Sequence, residues 1–202
     1  MDKRRFYDWL SRYYGIVGLF DDCYKRKALE FFDLKRGMRF LDVGCGAGFV
    51  LRQVKRRYQS VLVFGVDSSC KMAACARKDV LGGVSCGDCF CLPFRDGSFD
   101  VLFCSFVFDI FDFSEQKKVL SEFSRVLVPG GRLIFVNNVR GTGVFFWLSG
   151  FYVILARIFP KVLLNKPIDA SFVVEMSGFA IKKRKVAGFT EILVCEKIWM
   201  SI

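Results

Sequence analysis

The run Arg39-Phe40-Leu41-Asp42-Val43 carries three apolar residues of five, and the five residues after it, Gly44-Cys45-Gly46-Ala47-Gly48, are too glycine-rich to continue it. The pattern predicts a short buried strand, its exit turn, and a helix to about Arg57. The same beat recurs. Val61 to Val66 reads as a second strand, Ser69 to Lys78 as a helix, and Gly83 to Cys86 as a brief third strand. Phe99 to Phe106 reads as a fourth strand, Ser114 to Leu127 as a helix, and Gly131 to Asn137 as a fifth strand entered through Pro129-Gly130-Gly131. Regular alternation of strand and helix predicts right-handed crossovers and a parallel sheet covered on both faces.

The two ends of the chain depart from that beat. Helical stretches are predicted over Arg4 to Tyr14 and roughly Asp21 to Asp33, the second with Ala28, Leu29, Phe31 and Phe32 on its apolar face. Val144 to Ala156 carries no charge, yet it is well short of the roughly 20 apolar residues that a membrane-spanning helix needs. After Pro167 a helix is predicted to Ser177, followed by Ala180 to Val186 and Phe189 to Ile198. These two strands, joined at a tight Ala187-Gly188 turn, read as an antiparallel hairpin at the sheet edge. One domain over residues 1–202 is expected: a helical cap at 1–37, an α/β core at 38–138, an insertion at 139–178 and a terminal hairpin at 179–202.

Composition narrows the chemistry. Of 202 residues, 53% are hydrophobic and 25% charged, which excludes a disordered or low-complexity chain. Lys and Arg number 31 against 20 Asp and Glu, a formal charge of +11 that favours phosphates, nucleic acid or anionic lipid as neighbours. Histidine is absent, so His-dependent triads and most catalytic zinc sites are excluded and proton transfer must use carboxylates, Tyr, Lys, Cys or water. The nine cysteines are an odd number, and no apolar leader follows Met1-Asp2-Lys3-Arg4-Arg5. A reducing cytoplasmic setting is therefore expected, with most of the cysteines acting as small buried hydrophobes.

The glycine-rich exit of the first strand brings bare backbone to the start of a helix, where free N–H groups and the helix dipole favour negative charge. Its spacing is G-x-G-x-G, and Phe49 stands where a dinucleotide fingerprint requires glycine. On the second strand, Gly65-Val66-Asp67 places a carboxylate where it can accept from both hydroxyls of a ribose. NAD and S-adenosylmethionine both satisfy that arrangement.

A longer ordered set of motifs separates them: Phe40 to Gly48, Gly65-Val66-Asp67, Gly87-Asp88, Leu92-Pro93-Phe94, Ser98-Phe99-Asp100-Val101, and Arg125-Val126-Leu127-Val128-Pro129-Gly130-Gly131. In these the chain resembles class I S-adenosylmethionine-dependent methyltransferases, of the branch that includes quinone-biosynthesis and phospholipid N-methyltransferases. The resemblance implies a Rossmann-like seven-stranded α/β sheet, mostly parallel with an antiparallel last strand, helices on both faces, and S-adenosylmethionine across the carboxyl ends of the first strands. It implies that Gly44, Gly46 and Gly48 line the methionine portion while Asp42 approaches its ammonium. Asp67, with Ser68 beside it, would hold the ribose. Asp88 would accept from the adenine amino group, the Cys89 amide would face a ring nitrogen, and Ser105 would turn backbone toward the methionine end. Cys86, Cys89 and Cys91 form a C-x-x-C-x-C cluster able in principle to bind metal or a thiophilic substrate. Because Asp88 is taken by the adenine site and no second ligand pair stands nearby, no metal is expected.

Methyl transfer from a sulfonium needs a nucleophile aligned roughly 3 Å from the methyl carbon and water kept out. Asp109, just past the fourth strand, is the first candidate for a base, with helix capping as its other reading, and Tyr14 or its neighbour Tyr13 is the second. The chain lacks the signatures of amide-directed and cytosine-directed nucleic-acid methyltransferases, so nucleic acid is disfavoured as acceptor. The apolar insertion, with Phe145, Phe146, Trp147, Leu148, Phe151, Tyr152 and Ile154, points to a small hydrophobic or lipidic acceptor or to a membrane interface. Arg140, Arg157, Lys161 and Lys166, with the Lys3-Arg4-Arg5 and Lys25-Arg26-Lys27 triplets, suit an anionic bilayer surface. The alternatives are a methyltransferase of RNA or protein, and a non-catalytic cofactor-binding module.

Overall fold

The structure, a computed structural model, describes residues 22–80, 83–139 and 169–198. The predicted helix over Arg4 to Tyr14, Tyr13, Tyr14, the Lys3-Arg4-Arg5 triplet and the 144–156 insertion with its basic neighbours lie outside them.

Helical residues 22–28 run into a single 3-10 turn, Leu29–Phe31. The core then alternates: β1 (Arg39–Val43), α1 (Phe49–Arg57), β2 (Leu62–Asp67), α2 (Cys70–Asp79), β3 (Val84–Cys86) and β4 (Phe99–Ser105). A 3-10 turn at Phe108–Ile110 leads to α3 (Phe113–Val126) and β5 (Leu127–Asn138), and the described chain resumes with α4 (Ser171–Met176), β6 (Phe179–Ala187) and β7 (Thr190–Lys197). The seven strands form one sheet in the order β3-β2-β1-β4-β5-β7-β6. The first five are parallel, and β7 is antiparallel to both β5 and β6. This is the Rossmann-like architecture that the motifs implied.

Successive residues of each central strand point to opposite faces, and here both faces are apolar, as a sheet covered on both sides requires. Phe40, Val101, Phe103, Ile134 and Val136 pack with Ala28, Phe32, Leu51, Val54 and Ala76 on the face carrying helix 22–28, α1 and α2. Leu41, Leu102, Leu133, Phe135 and Leu193 pack with Leu120, Phe123 and Val174 on the face carrying α3 and α4. Helix α3 buries Gln116, Val119, Leu120, Phe123 and Val126, the one-sided spacing of an amphipathic helix. It is fixed at its start by a capping box. The Asp112 carboxylate accepts from the Glu115 amide at 2.9 Å, and the Glu115 carboxylate accepts from the Asp112 amide at 3.0 Å.

Two expectations are corrected. The fifth strand begins at Leu127, before the Pro129-Gly130-Gly131 turn, because Leu127 already pairs with Phe99. The ladder then shifts register and resumes at Val101 against Arg132, so the turn is an excursion within the strand. The cysteines are not mostly buried hydrophobes. Cys45, Cys104 and Cys195 are buried, Cys23, Cys75 and Cys91 are exposed, and Cys70 and Cys86 form a disulfide between α2 and the end of β3.

Phe135 ties the second core together, with ring centroids 4.8 Å from Phe108 and 6.1 Å from Phe123. Phe135→Ala should cost about 3–5 kcal/mol in urea unfolding. The same truncation at Phe172, which is 64% exposed, should stay within about 0.5 kcal/mol. Equal losses would show that the packing around Phe135 is not what carries this face.

Candidate functional site

Three of the glycines that leave β1 have left-handed backbone, with φ of 74° at Gly44, 54° at Gly46 and 83° at Gly48. A Cβ on Gly44 would lie 2.2 Å from Val107 Cγ2, and one on Gly48 would lie 2.9 Å from Ala76 Cβ, so both backbone freedom and space demand glycine there. Gly48 is also the N-cap of α1. The turn is anchored below by the Gly44 amide donating to the Val66 carbonyl at 2.7 Å, and above by the Arg52 guanidinium donating to the Ala47 carbonyl at 2.7 Å.

Asp67 ends β2 beside this turn. One of its oxygens accepts from the Gly46 amide at 2.7 Å and the other from the Ser69 amide at 2.8 Å. Ser69 caps α2 by accepting from the Met72 amide at 3.4 Å, and exposed Ser68 lies between the two. The Gly87 amide donates to the Asp67 carbonyl at 3.0 Å, which sets Asp88 one strand over from Asp67. The Asp88 carboxylate accepts from the Phe90 amide at 3.1 Å and so shapes the tight turn that carries half-buried Cys89. Burial, reinforced by the Asp88 charge, pushes the Cys89 thiol up to about 12, so it stays protonated at neutral pH. The disulfide joins Cys70, three residues after Asp67, to Cys86, two residues before Asp88. In this state Cys86 is not available as a metal ligand, and among the described residues no group of three metal-binding side chains converges.

The following loop is stapled to α3. The Arg125 guanidinium donates to the Phe94 and Leu92 carbonyls at 2.8 and 3.1 Å, and the Glu122 carboxylate accepts from the Leu92 amide at 2.9 Å. The hydrogen bond from Arg125 holds the Glu122 carboxyl below its ordinary value.

At the opposite end of the turn, Asp42 is 2% exposed, and its Oδ1 has no hydrogen-bond partner. Burial raises its carboxyl to about 7, against the attraction of Lys25 and with some help from the Asp67 charge. A buried acceptor without a partner is costly and wants a cationic donor, which is what the ammonium of an amino acid supplies. Ser105 closes β4 in a buried position. Phe106 then takes a left-handed φ of 54°, its amide donating to the Val136 carbonyl at 2.8 Å, and this sharp turn brings Val107 over Gly44. Asp109 is 1% exposed, and its Oδ2 accepts from the Asn138 side-chain amide at 3.0 Å and the Asn138 backbone amide at 3.3 Å.

The carboxyl ends of the central strands thus bring Asp42, Gly44, Gly46, Gly48, Asp67, Ser68, Asp88, Cys89, Ser105 and Asp109 to one rim of the sheet. Residues 41–135 match the sequence profile of a family described as a methyltransferase domain. The core of this chain is a class I S-adenosylmethionine-dependent methyltransferase domain. The demethylmenaquinone methyltransferase of Thermotoga maritima is 35% identical over 143 residues, covering 68% of this chain and 61% of that protein. The ubiquinone/menaquinone biosynthesis C-methyltransferase UbiE of Geobacter sulfurreducens is 31% identical over 167 residues, covering 77% and 62%. The chain therefore spans about three fifths of the length of these relatives. Among solved structures, an S-adenosylmethionine-dependent methyltransferase from Thermotoga maritima superposes with a TM-score of 0.73 at 18% identity, over 96% of this chain and 99% of that one. The cofactor of such a domain is S-adenosylmethionine. The glycine turn, the unpartnered Asp42 oxygen and the Asp67 carboxylate fit it.

Two features of this methyltransferase domain escape sequence reasoning. Lys25 is only 7% exposed and is not part of a solvated basic triplet. The signal was present in its spacing: Lys25, Ala28, Leu29 and Phe32 fall at i, i+3, i+4 and i+7 on one helix face. Asn137 and Glu191, opposite each other on β5 and β7, are both fully buried, and neither atom of the Asn137 amide has a partner. Glu191 pairs with the Arg184 guanidinium, and burial raises its carboxyl despite that charge.

Burial lifts Asp42 from the usual 3.8 to about 7, so the folded chain keeps a proton there that the unfolded chain loses above about pH 4. The stability contributed by that proton is full below the unfolded value and is lost as pH rises toward 7. Asp42→Asn should therefore gain in relative stability from pH 4 to pH 7 in urea unfolding, and a constant difference would refute the assignment. An ammonium ligand favours the charged form, so affinity for S-adenosylhomocysteine in calorimetry should rise through about pH 7 in the parent and stay flat in the variant. At Asp67, substitution by Ala should weaken the same ligand by about 1–3 kcal/mol, and undiminished affinity would remove its ribose role.

Proposed function

We propose that this chain transfers the methyl group of S-adenosylmethionine to a small apolar acceptor, a quinol-type ring in particular. The bound cofactor supplies an electrophilic methyl on a sulfonium. The observation that carries the reading is the buried Asp109 carboxylate just past β4, its orientation fixed by two donors from Asn138. A carboxylate there accepts the hydroxyl proton of the ring, which enriches the ring carbon that takes the methyl. That carbon then loses its proton to water, which restores the aromatic ring, and the Asp109 carboxyl returns the hydroxyl proton to the ring oxygen. Val107, turned over Gly44, helps to exclude water from the sulfonium end.

The buried Asn137 amide and Glu191 carboxyl at the carboxyl end of β5 support a polar ring substituent on the acceptor side. The two relatives named for quinone biosynthesis support the same acceptor class. Exposed Arg26, Lys55, Arg56 and Arg57 favour approach to an anionic membrane that holds such an acceptor, and among the described residues no helix is long and apolar enough to cross one. Tyr14, outside the described residues, is the second candidate for the base.

Single-turnover transfer to a short-chain demethylmenaquinol, kept reduced and read by mass spectrometry, tests this. Asp109→Asn should lower the transfer rate by roughly 10²-fold or more while leaving affinity for S-adenosylhomocysteine unchanged. Undiminished transfer would leave Asp109 a structural group and reduce the mechanism to alignment and desolvation. No methylated quinol from the parent would sink the acceptor class.

A further inference from the structure

Two carboxylates of the rim, Asp67 and Asp88, flank one sulfur–sulfur bond. Cys70, three residues after Asp67, is bonded to Cys86, two residues before Asp88. Both cysteines are exposed, so the bond is open to thiols in solution. We infer that it is a reversible thiol–disulfide site, exchanging with small thiols of the glutathione class, whose state sets how tightly the cofactor is held. The inference rests on the domain's binding of S-adenosylmethionine with its nucleoside end at Asp67 and Asp88.

The bond stands where the sheet is held by few neighbours. Among the described residues β3 is three residues long and pairs only with β2, Asp67 standing opposite Cys86. At the start of β3, the Arg77 guanidinium of α2 donates to the Val84 carbonyl at 2.8 Å. At the end of β3, where the rim begins, the disulfide is the covalent tie to α2. Asp88 is thus placed by the Gly87 amide, which donates to the Asp67 carbonyl, and by the bond at Cys86. With the bond closed, the start of α2 and the exit of β3 keep a fixed separation, and a ligand that spans Asp67 and Asp88 meets an ordered surface. With it open, the short edge strand has more freedom, and part of that freedom is lost again when the ligand binds.

The backbone favours closing the bond again after each opening. Cys86 Sγ lies 3.9 Å from the Ser68 carbonyl oxygen, and the β2–β3 register that holds Cys86 beside Asp67 does not use the sulfur. Reduction runs in two exchanges. A glutathione-class thiolate attacks Cys86 Sγ, the sulfur–sulfur bond breaks, and its electron pair leaves on the sulfur of Cys70, the first residue of α2, where helix amides favour negative charge. A second thiolate then attacks the small-molecule sulfur of the mixed disulfide and frees Cys86. Two small thiols are oxidised to one small disulfide, the protein gains two electrons and two protons, and the reverse sequence closes the bond.

The test is calorimetry with S-adenosylhomocysteine on the full chain, with the disulfide closed and after reduction by dithiothreitol. Alkylation and peptide mass spectrometry report which thiols are free. The closed form should bind roughly 5- to 30-fold more tightly, the cost of fixing about one residue of backbone. Cys70→Ser and Cys86→Ser should each bind as the reduced parent does and show no response to dithiothreitol. In glutathione buffers, saturating S-adenosylhomocysteine should lower the equilibrium constant for opening the bond by the same factor, because coupling is reciprocal. A reduced parent that binds as tightly as the closed form, or more tightly, overturns the inference and leaves cofactor binding standing. Serine variants that still respond to dithiothreitol overturn it by placing the effect at another cysteine. A reduced parent that has lost its circular dichroism overturns it by making the bond a requirement of folding. A parent that binds S-adenosylhomocysteine in neither state refutes the cofactor reading and the coupling with it.

Discussion

The site depends on one carboxylate that answers to two backbone amides. Asp67 accepts from Gly46 in the turn after β1 and from Ser69 at the start of α2, and so fixes the gap between two strand exits beyond the bonds from the Gly44 and Cys45 amides to the Val66 carbonyl. Glycine conformations are entropically costly to fix, and a charge-assisted hydrogen bond to Gly46 offsets part of that cost. The residue proposed to hold the ribose is thus also the residue that shapes the turn beside it. The rest of the rim is then set by the strands: Asp42 by β1, Asp88 by the bond from Gly87 to β2, and Asp109 by its tie to the end of β5.

The motif set divides into residues on the rim at the carboxyl ends of the strands and residues that hold the neighbouring loop in place. Arg125 of the Arg-Val-Leu stretch donates to the carbonyls of Leu92 and Phe94, and Glu122 accepts from the Leu92 amide. These bonds lie far apart in sequence yet fasten α3 to the segment that follows Asp88. Lys197 does similar work at the same, C-terminal end of α3, its ammonium donating to the Ser124 and Leu127 carbonyls at 2.6 and 2.9 Å.

What could be read from the chain was local. Apolar runs, glycine spacing and the carboxylates closing β1 and β2 each occupy a few consecutive residues, and the structure places them as their pattern implied. What escaped depends on partners distant in sequence or on a helical rather than linear reading. The start of β5 at Leu127 is decided by Phe99, 28 positions earlier. Nine cysteines gave no means of choosing Cys70 and Cys86 as partners. Lys25 reads as one basic triplet with Arg26 and Lys27 because they are adjacent, although adjacent residues on a helix point about 100° apart. Asn137 and Glu191 meet only through the antiparallel register of β5 and β7.

The outer edge of the sheet puts the basic charge of this chain in another light. Among the described residues β6 is the edge strand, and Lys182, Lys183, Arg184 and Lys185 stand exposed along its middle. An edge strand offers unpaired amides and carbonyls to any other extended chain, and a row of cations on it makes the approach of a second copy repulsive. Part of this is balanced within the chain, by Glu196 for Lys182 and by Glu30 for Lys185. The opposite edge, β3, is three residues long and is cross-linked at Cys86. The sheet is therefore guarded at one margin by charge and at the other by brevity, and some of its positive surplus protects against aggregation through strand addition.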